Sequence, residues 1–184
     1  MRRPNSEKLT SSVSWRFPDR LLSIQRLPFG EARMGFDGTT GWSTFGDQHH
    51  EDASIGNDVR SEYDRSLFHL LGHAEDVTLR ATDAPSTIDG VAYRVGYATT
   101  HEGRSFTLYF APDGALARID YVGQGPSGQA EMTDVFADWK PVGAIRYPHA
   151  RQVLLQGKPY LVSHLDLLTL GPTLEDALFK KPGP

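Results

Sequence analysis

Two histidines four residues apart, His69 and His73, sit in the leucine-rich stretch SLFHLLGHAED (66–76). This is the spacing at which one helical face can offer two imidazoles to a metal ion. The rest of that chemistry is missing. A helical zinc-protease site needs a glutamate directly after the first histidine as general base, and Leu70 stands there. On a helix, Leu67, Leu70 and Leu71 point one way, while His69 falls on the opposite side near Glu62 and Arg65, which reads as a solvated face. Gly72 predicts a helix stop after Leu71, so His73 lies outside it and the pair does not form. Metal-dependent hydrolysis is therefore the remotest of three functional readings.

The stretch DQHHED (47–52) is the other metal-like cluster, but adjacent residues rarely aim at one centre without a distant third ligand, and it reads as a solvated loop. His101, His149 and His164 fall on or beside candidate strands. The chain has no cysteine, which excludes disulfides, thiolate catalysis and cysteine-bound zinc. The close glycines of GQGPSG enclose a proline and precede a strand rather than a helix, so they form no phosphate loop. There is no G-x-S-x-G elbow, and Glu175-Asp176 reads as surface charge. No catalytic residue, cofactor or metal is expected, and the chain is not expected to be an enzyme.

A chain of 184 residues can bury a core of its own, and 39% hydrophobic residues with 23% charged suit a globular protein, expected to be a single domain over 1–184. The net charge of −4 and the scattered basic residues argue against a nucleic-acid partner. No stretch approaches the roughly 18 consecutive apolar residues of a membrane span. The start, MRRPNSEKLTSSVSW, has two arginines but no apolar run after them, so no signal peptide is expected.

Most of the chain reads as short strands between turn signals. Strands are expected around residues 12–25, 31–36, 41–45, 76–82, 91–99, 130–138, 145–155 and 160–170. The dipeptides Asp37-Gly38, Asp89-Gly90 and Asp113-Gly114 each suit a tight hairpin turn. If Asp113-Gly114 is a two-residue loop, Phe110 faces Ala117, Leu108 faces Ile119 and Phe106 faces Tyr121, while Thr107, Tyr109, Arg118 and Asp120 lie on the other side. One face is apolar and the other largely polar, as a half-buried antiparallel ribbon requires. PYLVSHLDLLTL (159–170) is apolar on both faces, which predicts a central strand. The strand rhythm breaks once. Tyr63, Leu67, Leu70 and Leu71 form a helical stripe, predicting one amphipathic helix over about 58–71 with Ser61 and Asp64 near its start. TLEDALF predicts a short helical turn near the end.

Several stretches, taken in order, resemble the periplasmic lipoprotein-carrier (LolA/LolB-like) superfamily, most nearly the C-terminal accessory module of insulinase-type zinc peptidases. They are WRFPDR from Trp15, FDGTTGW from Phe36, the Leu70-Leu71 pair, IDGVAYRV from Ile88, LYFAPDGALARIDY from Leu108, DWKPVGAIRYPH from Asp138 and FKKP from Phe179. Gly143 in the sixth suits a tight turn or bulge, and Pro148 suits an exposed edge. Three features depart from the family's pattern: no signal peptide is expected in MRRPNSEKLTSSVSW, the usual N-terminal helix is not expected before the first strand, and Ala111 replaces a common acidic residue.

The resemblance implies a mainly β (α+β) fold: a single strongly curved antiparallel sheet forming a half-open barrel, with the helix packed into its concave side. It also implies a non-enzymatic module that shelters a lipid or lipoprotein acyl chain between sheet and helix. Trp42, Leu67, Leu71, Phe106, Leu108, Phe110, Ile119 and Tyr121 are the residues expected to line that space. The second reading is an accessory module that binds a peptidase or envelope protein and holds no small ligand. The implied location is the periplasm; without a signal peptide, the alternative is the cytoplasm.

Overall fold

The computed structural model describes residues 9–183 and, within them, every side chain except that of Leu71. Most of the stretch that carries the signal-peptide expectation lies outside those residues. Among the described residues the fold is mainly β, with antiparallel sheets that do not close and two α-helices. The chain packs as two compact units. One runs to Asp64 and resumes at Thr173; the other is Arg65–Pro172.

The first unit has five strands in sequence order: β1 (Thr10–Arg16), β2 (Arg20–Leu27), β3 (Gly30–Asp37), β4 (Gly41–Phe45) and β5 (Gln48–Glu51). The strand expected over 12–25 is thus two, divided by a turn at Phe17, Pro18 and Asp19. DQHHED is an edge strand rather than a loop. Its pairs Thr44↔His49 and Ser43↔His50 send the two imidazoles to opposite faces.

Helix α1 (Ala53–Asp64) follows, five residues earlier than its apolar stripe predicts. Asp52 starts it, its Oδ1 accepting from the Ser54 N–H at 2.8 Å. Gly56 obscures the start in the sequence because glycine is a poor helix former. Its bare Cα is what lets the Phe36 ring approach, since a Cβ there would lie 2.8 Å from that ring. Ile55 and Val59 pack with Leu21 and Phe36 on one face of the sheet. Leu22, Trp42 and Phe179 form a second cluster. Phe179 ends the short 3-10 helix Asp176–Phe179 expected near the C-terminus.

The second unit opens with helix α2 (Leu67–Gly72). Ser66 has extended backbone (φ −68, ψ 147), and its side chain accepts from the His69 N–H, so the chain caps a new helix instead of continuing α1. The stripe read as one helix over 58–71 therefore serves two cores: Tyr63 is buried on α1, while Leu67 and Leu70 pack in the second unit.

Eight strands follow: β6 (Val77–Ala81), β7 (Ser86–Ile88), β8 (Val91–Thr100), β9 (Ser105–Phe110), β10 (Leu116–Gly125), β11 (Gly128–Val142), β12 (Ile145–Leu155) and β13 (Lys158–His164). Their order is β13-β12-β11-β10-β9-β8-β6, with β7 paired to the first half of β8. The expected pairs Leu108↔Ile119 and Phe106↔Tyr121 are present, but Phe110 pairs with Leu116, because a bulge intervenes at Ala117. The loop is also longer than two residues. The Gly114 N–H donates to Ala111 O and only Gly114 has positive φ (+85), a type I turn whose corner Pro112 favours. Asp89-Gly90 does form a two-residue turn, with both φ values positive between Ile88 and Val91. Gly143 (φ 57) sits in the two-residue loop joining β11 to β12. Pro148 is buried opposite Trp139 rather than on an exposed edge, just past the end of β13, whose His164 pairs with Ala150.

PYLV is not central. It lies on β13, the edge of the sheet, with every residue exposed. Apolar character on both faces of a strand does not specify whether a neighbour pairs along its far side, and among the described residues none does.

Candidate ligand recesses on the eight-stranded sheet

Alternation divides this sheet into two faces. The face toward α2 carries Ala98, Phe106, Leu108 and Ile119, all buried, with Leu67, Leu70, Phe110, Tyr121 and Phe136 packed on them. The other face carries Tyr97, Thr107, Tyr109, Arg118, Asp120 and Thr133 along β8 to β11.

Of the residues expected to line a ligand space, Leu67, Phe106, Leu108, Phe110, Ile119 and Tyr121 all enter this one packed cluster. Leu108 is 3% exposed and Ile119 0%, so these two touch protein on every side. Trp42 is in the first unit, 1% exposed beside Leu22 and Phe179. The side chain of Leu71 lies outside the described residues.

One polar group interrupts the apolar face. The Asp134 side chain, 3% exposed, accepts from Arg151 Nη2 at 2.8 Å and from the Tyr121 hydroxyl at 3.2 Å. The Arg65 guanidinium lies 4.0 Å from the centre of the Tyr121 ring. Burial, and then the charge of Asp134, push the Tyr121 phenol above its ordinary value, so it stays protonated and donates.

Two concavities open beside the cluster. The smaller, about 380 Å³, lies at the β6 end of the sheet, lined by Leu79, Ala81, Val95, Gly96, Phe110 and Gly114, with Arg94. Pairing places Ala81, Gly96 and Leu108 in one cross-strand row and Leu79, Ala98 and Phe106 in the next, so this recess continues the apolar face. Gly96 keeps it open: a Cβ there would sit 3.2 Å from Leu79 Cδ1. Leu79 is 58% exposed at the rim. Arg94 Nη2 reaches toward Gly114 at the hairpin tip, and among the described residues no carboxylate pairs with it. Phe110 is the sole expected lining residue in this recess. Leu79 and Ala81 escaped the sequence reading because β6 becomes a neighbour of β8 only through a connection that includes β7.

The larger concavity, about 760 Å³, draws mainly on residues of the other face, together with Ala98, Phe106, Tyr121 and Met132 from one row of the apolar face. Its centre is ordered. Arg118 forks Asp120 through Nε at 2.7 Å and Nη2 at 3.1 Å, and the Thr133 hydroxyl donates to Asp120 Oδ1 at 2.7 Å.

The histidines do not assemble a metal site. His69 is 3% exposed rather than solvated, because α2 starts afresh and turns that side inward. Its Nε2 lies 3.7 Å from Asp76 Oδ2, and the rings of His69 and His73 are 6.1 Å apart. Among the described residues no three His, Asp or Glu side chains are grouped to hold a metal ion. No helix among them is long and apolar enough to cross a membrane.

No family profile matches the chain, and no curated protein does. It is similar to three solved structures. A protein domain assigned to outer-membrane lipoprotein sorting, from Vibrio parahaemolyticus, is 12% identical with a TM-score of 0.48, over 87% of this chain and 81% of that one. A DUF1329-family protein from Desulfovibrio piger is 13% identical with a TM-score of 0.48, over 94% and 80%. A LolA-superfamily protein from Nitrosomonas europaea is 12% identical with a TM-score of 0.45, over 94% and 87%.

Proposed function

We propose that this chain is a non-enzymatic binding module of the cell envelope that shelters an apolar chain, from a lipid or an acylated protein. The observation that carries the reading is the apolar recess at the β6 end of the sheet. Its volume of about 380 Å³ falls within the range of roughly 300–1,000 Å³ usual for ligand pockets. Leu79, Ala81 and Phe110 offer apolar contact, while Arg94 at the mouth suits an anionic head group. The envelope location rests on the motif resemblance.

The test is titration of the folded protein with an environment-sensitive fluorescent fatty acid, then competition with unlabelled lipid. Saturable, displaceable binding near one probe per chain is expected. Ala81→Trp, which fills the recess from an exposed position, is expected to weaken it about tenfold or more, a loss of at least about 1.4 kcal/mol. A folded protein that takes up no probe overturns the reading.

One observation favours the second reading, an accessory module that docks on a peptidase or other envelope protein. Strand β13 is the edge of the sheet among the described residues, with Tyr160, Leu161 and Val162 all more than half exposed. Such an edge is built to accept another strand. Absence of probe binding moves the function there.

A further inference from the structure

The polar face of the eight-stranded sheet holds a concavity of about 760 Å³, and the lipid-binding reading does not use it. Its side chains come from alternate positions of four adjacent strands. Tyr97↔Thr107, Thr107↔Asp120 and Asp120↔Thr133 make one continuous cross-strand row. Thr99↔Ser105 and Val122↔Glu131 lie two residues along the strands.

The charges in this surface are already committed or negative. Arg118 is held bidentate by Asp120 and also donates to Thr133 Oγ1 at 3.3 Å, while its guanidinium lies 5.3 Å from the centre of the Tyr109 ring. Glu131 has no cationic partner among the described residues. A phosphate or sulfate would meet no spare positive charge and one spare carboxylate.

What remains free is of two kinds. The Thr107 hydroxyl both donates and accepts, and the Thr99 and Ser105 hydroxyls, which bond each other at 3.2 Å, each keep a further lone pair to accept with. Tyr97 and Val122, 52% and 60% exposed, supply an aromatic face and an apolar patch beside them. A sugar ring presents the complementary mixture: a C–H face that lies against an aromatic ring, and an edge of vicinal hydroxyls that pairs with hydroxyl and carboxylate oxygens. The Arg118–Asp120–Thr133 network orders the centre beforehand, which lowers the entropy lost on binding.

We infer that this face binds a neutral oligosaccharide, lying across β8 to β11 with one ring on Tyr97 and its hydroxyls along Thr107 and Glu131. The site is separate from the apolar recess and does not depend on the lipid-binding reading.

The experiment is an amide-shift NMR titration of the full ¹⁵N-labelled chain with cellotetraose, maltotetraose and chitotetraose at millimolar concentrations, with inorganic phosphate in parallel. At least one sugar is expected to shift the amides of residues 97, 107, 120 and 131, and phosphate is not. Tyr97→Ala, at an exposed position, is expected to weaken the sugar about tenfold. Ala81→Trp in the apolar recess is expected to leave it unchanged. If no sugar moves these amides, if phosphate does instead, or if Tyr97→Ala binds as well as wild type, the inference is wrong.

Discussion

Trp42 and Phe179 lie 137 positions apart, and the indole Nε1–H of the first donates to the carbonyl oxygen of the second at 2.8 Å. Both side chains are buried, at 1% and 0% exposure. The bond ties the returning C-terminal segment to the five-stranded sheet, supported by Arg16 and Arg20, which both pair with Asp176. Trp42 also lies flat over Gly35, its partner across β3 and β4, where a Cβ would overlap the indole.

Gly35→Ala is accordingly expected to cost about 3 kcal/mol or more, because the Trp42 ring cannot move without opening the buried cluster. Trp42→Phe keeps most of the apolar volume but leaves the Phe179 carbonyl unpaired, and is expected to cost about 1–3 kcal/mol. Urea unfolding followed by far-UV circular dichroism ranks the two. A Gly35→Ala protein as stable as wild type would contradict the packing.

Asp134 and Arg151 make the pair most exposed to one-sided mutation. Arg151→Met strips the buried carboxylate of its charged partner and is expected to destabilise by about 2–4 kcal/mol. The double variant Asp134→Leu, Arg151→Met removes both charges and is expected to recover most of that loss. Equal stability of the single and double variants in urea melts would show that the carboxylate is not held by Arg151.

Asp37 turns the chain between β3 and β4, its Oδ1 accepting from the N–H groups of Thr40 at 2.8 Å and Thr39 at 2.9 Å. The Thr40 bond above all holds the carboxyl below its ordinary value of 3.8, against a smaller opposing effect of burial. A depressed folded-state pKa contributes stability that is complete above 3.8 and fades as pH falls below it. Asp37→Ala is expected to cost about 1 kcal/mol at neutral pH. That gap should narrow in unfolding curves taken at successively lower pH below 3.8. A constant gap would argue against the Asp37 carboxylate as the source.

Strand β13 exposes Leu161, 52% accessible, on an edge that no other strand among the described residues pairs. Leu161→Lys adds a charge of the kind that protects natural edges. It is expected to leave thermal stability within about 0.5 kcal/mol of wild type while reducing self-association. Sedimentation of both proteins at high concentration is the measurement, and identical behaviour would mean that the edge does not drive association.

Local rules settled a good deal of this fold in the sequence itself. Period-two patterning placed Leu108 opposite Ile119 and Phe106 opposite Tyr121, because a one-residue slip would turn apolar side chains toward water. Asp89-Gly90 and Gly143 marked real hairpins, since positive φ is cheap only for a few residue types. The antiparallel, mainly β class follows from the same alternation. The tertiary structure decided what no local pattern holds. Ser66 can cap a helix or sit inside one, and only the separate packing of α1 and α2 selects the cap, which in turn buries His69. PYLV suits a central strand or an edge equally; among the described residues no further strand pairs beyond it, which makes it an edge. The apolar recess needs Leu79 and Ala81 of β6 beside Gly96 of β8, an adjacency created when the chain passes through β7 and turns back. Side-chain pattern determines which face of a strand is buried. Which strands become neighbours, and where space is left between them, is settled by the packing of the whole sheet.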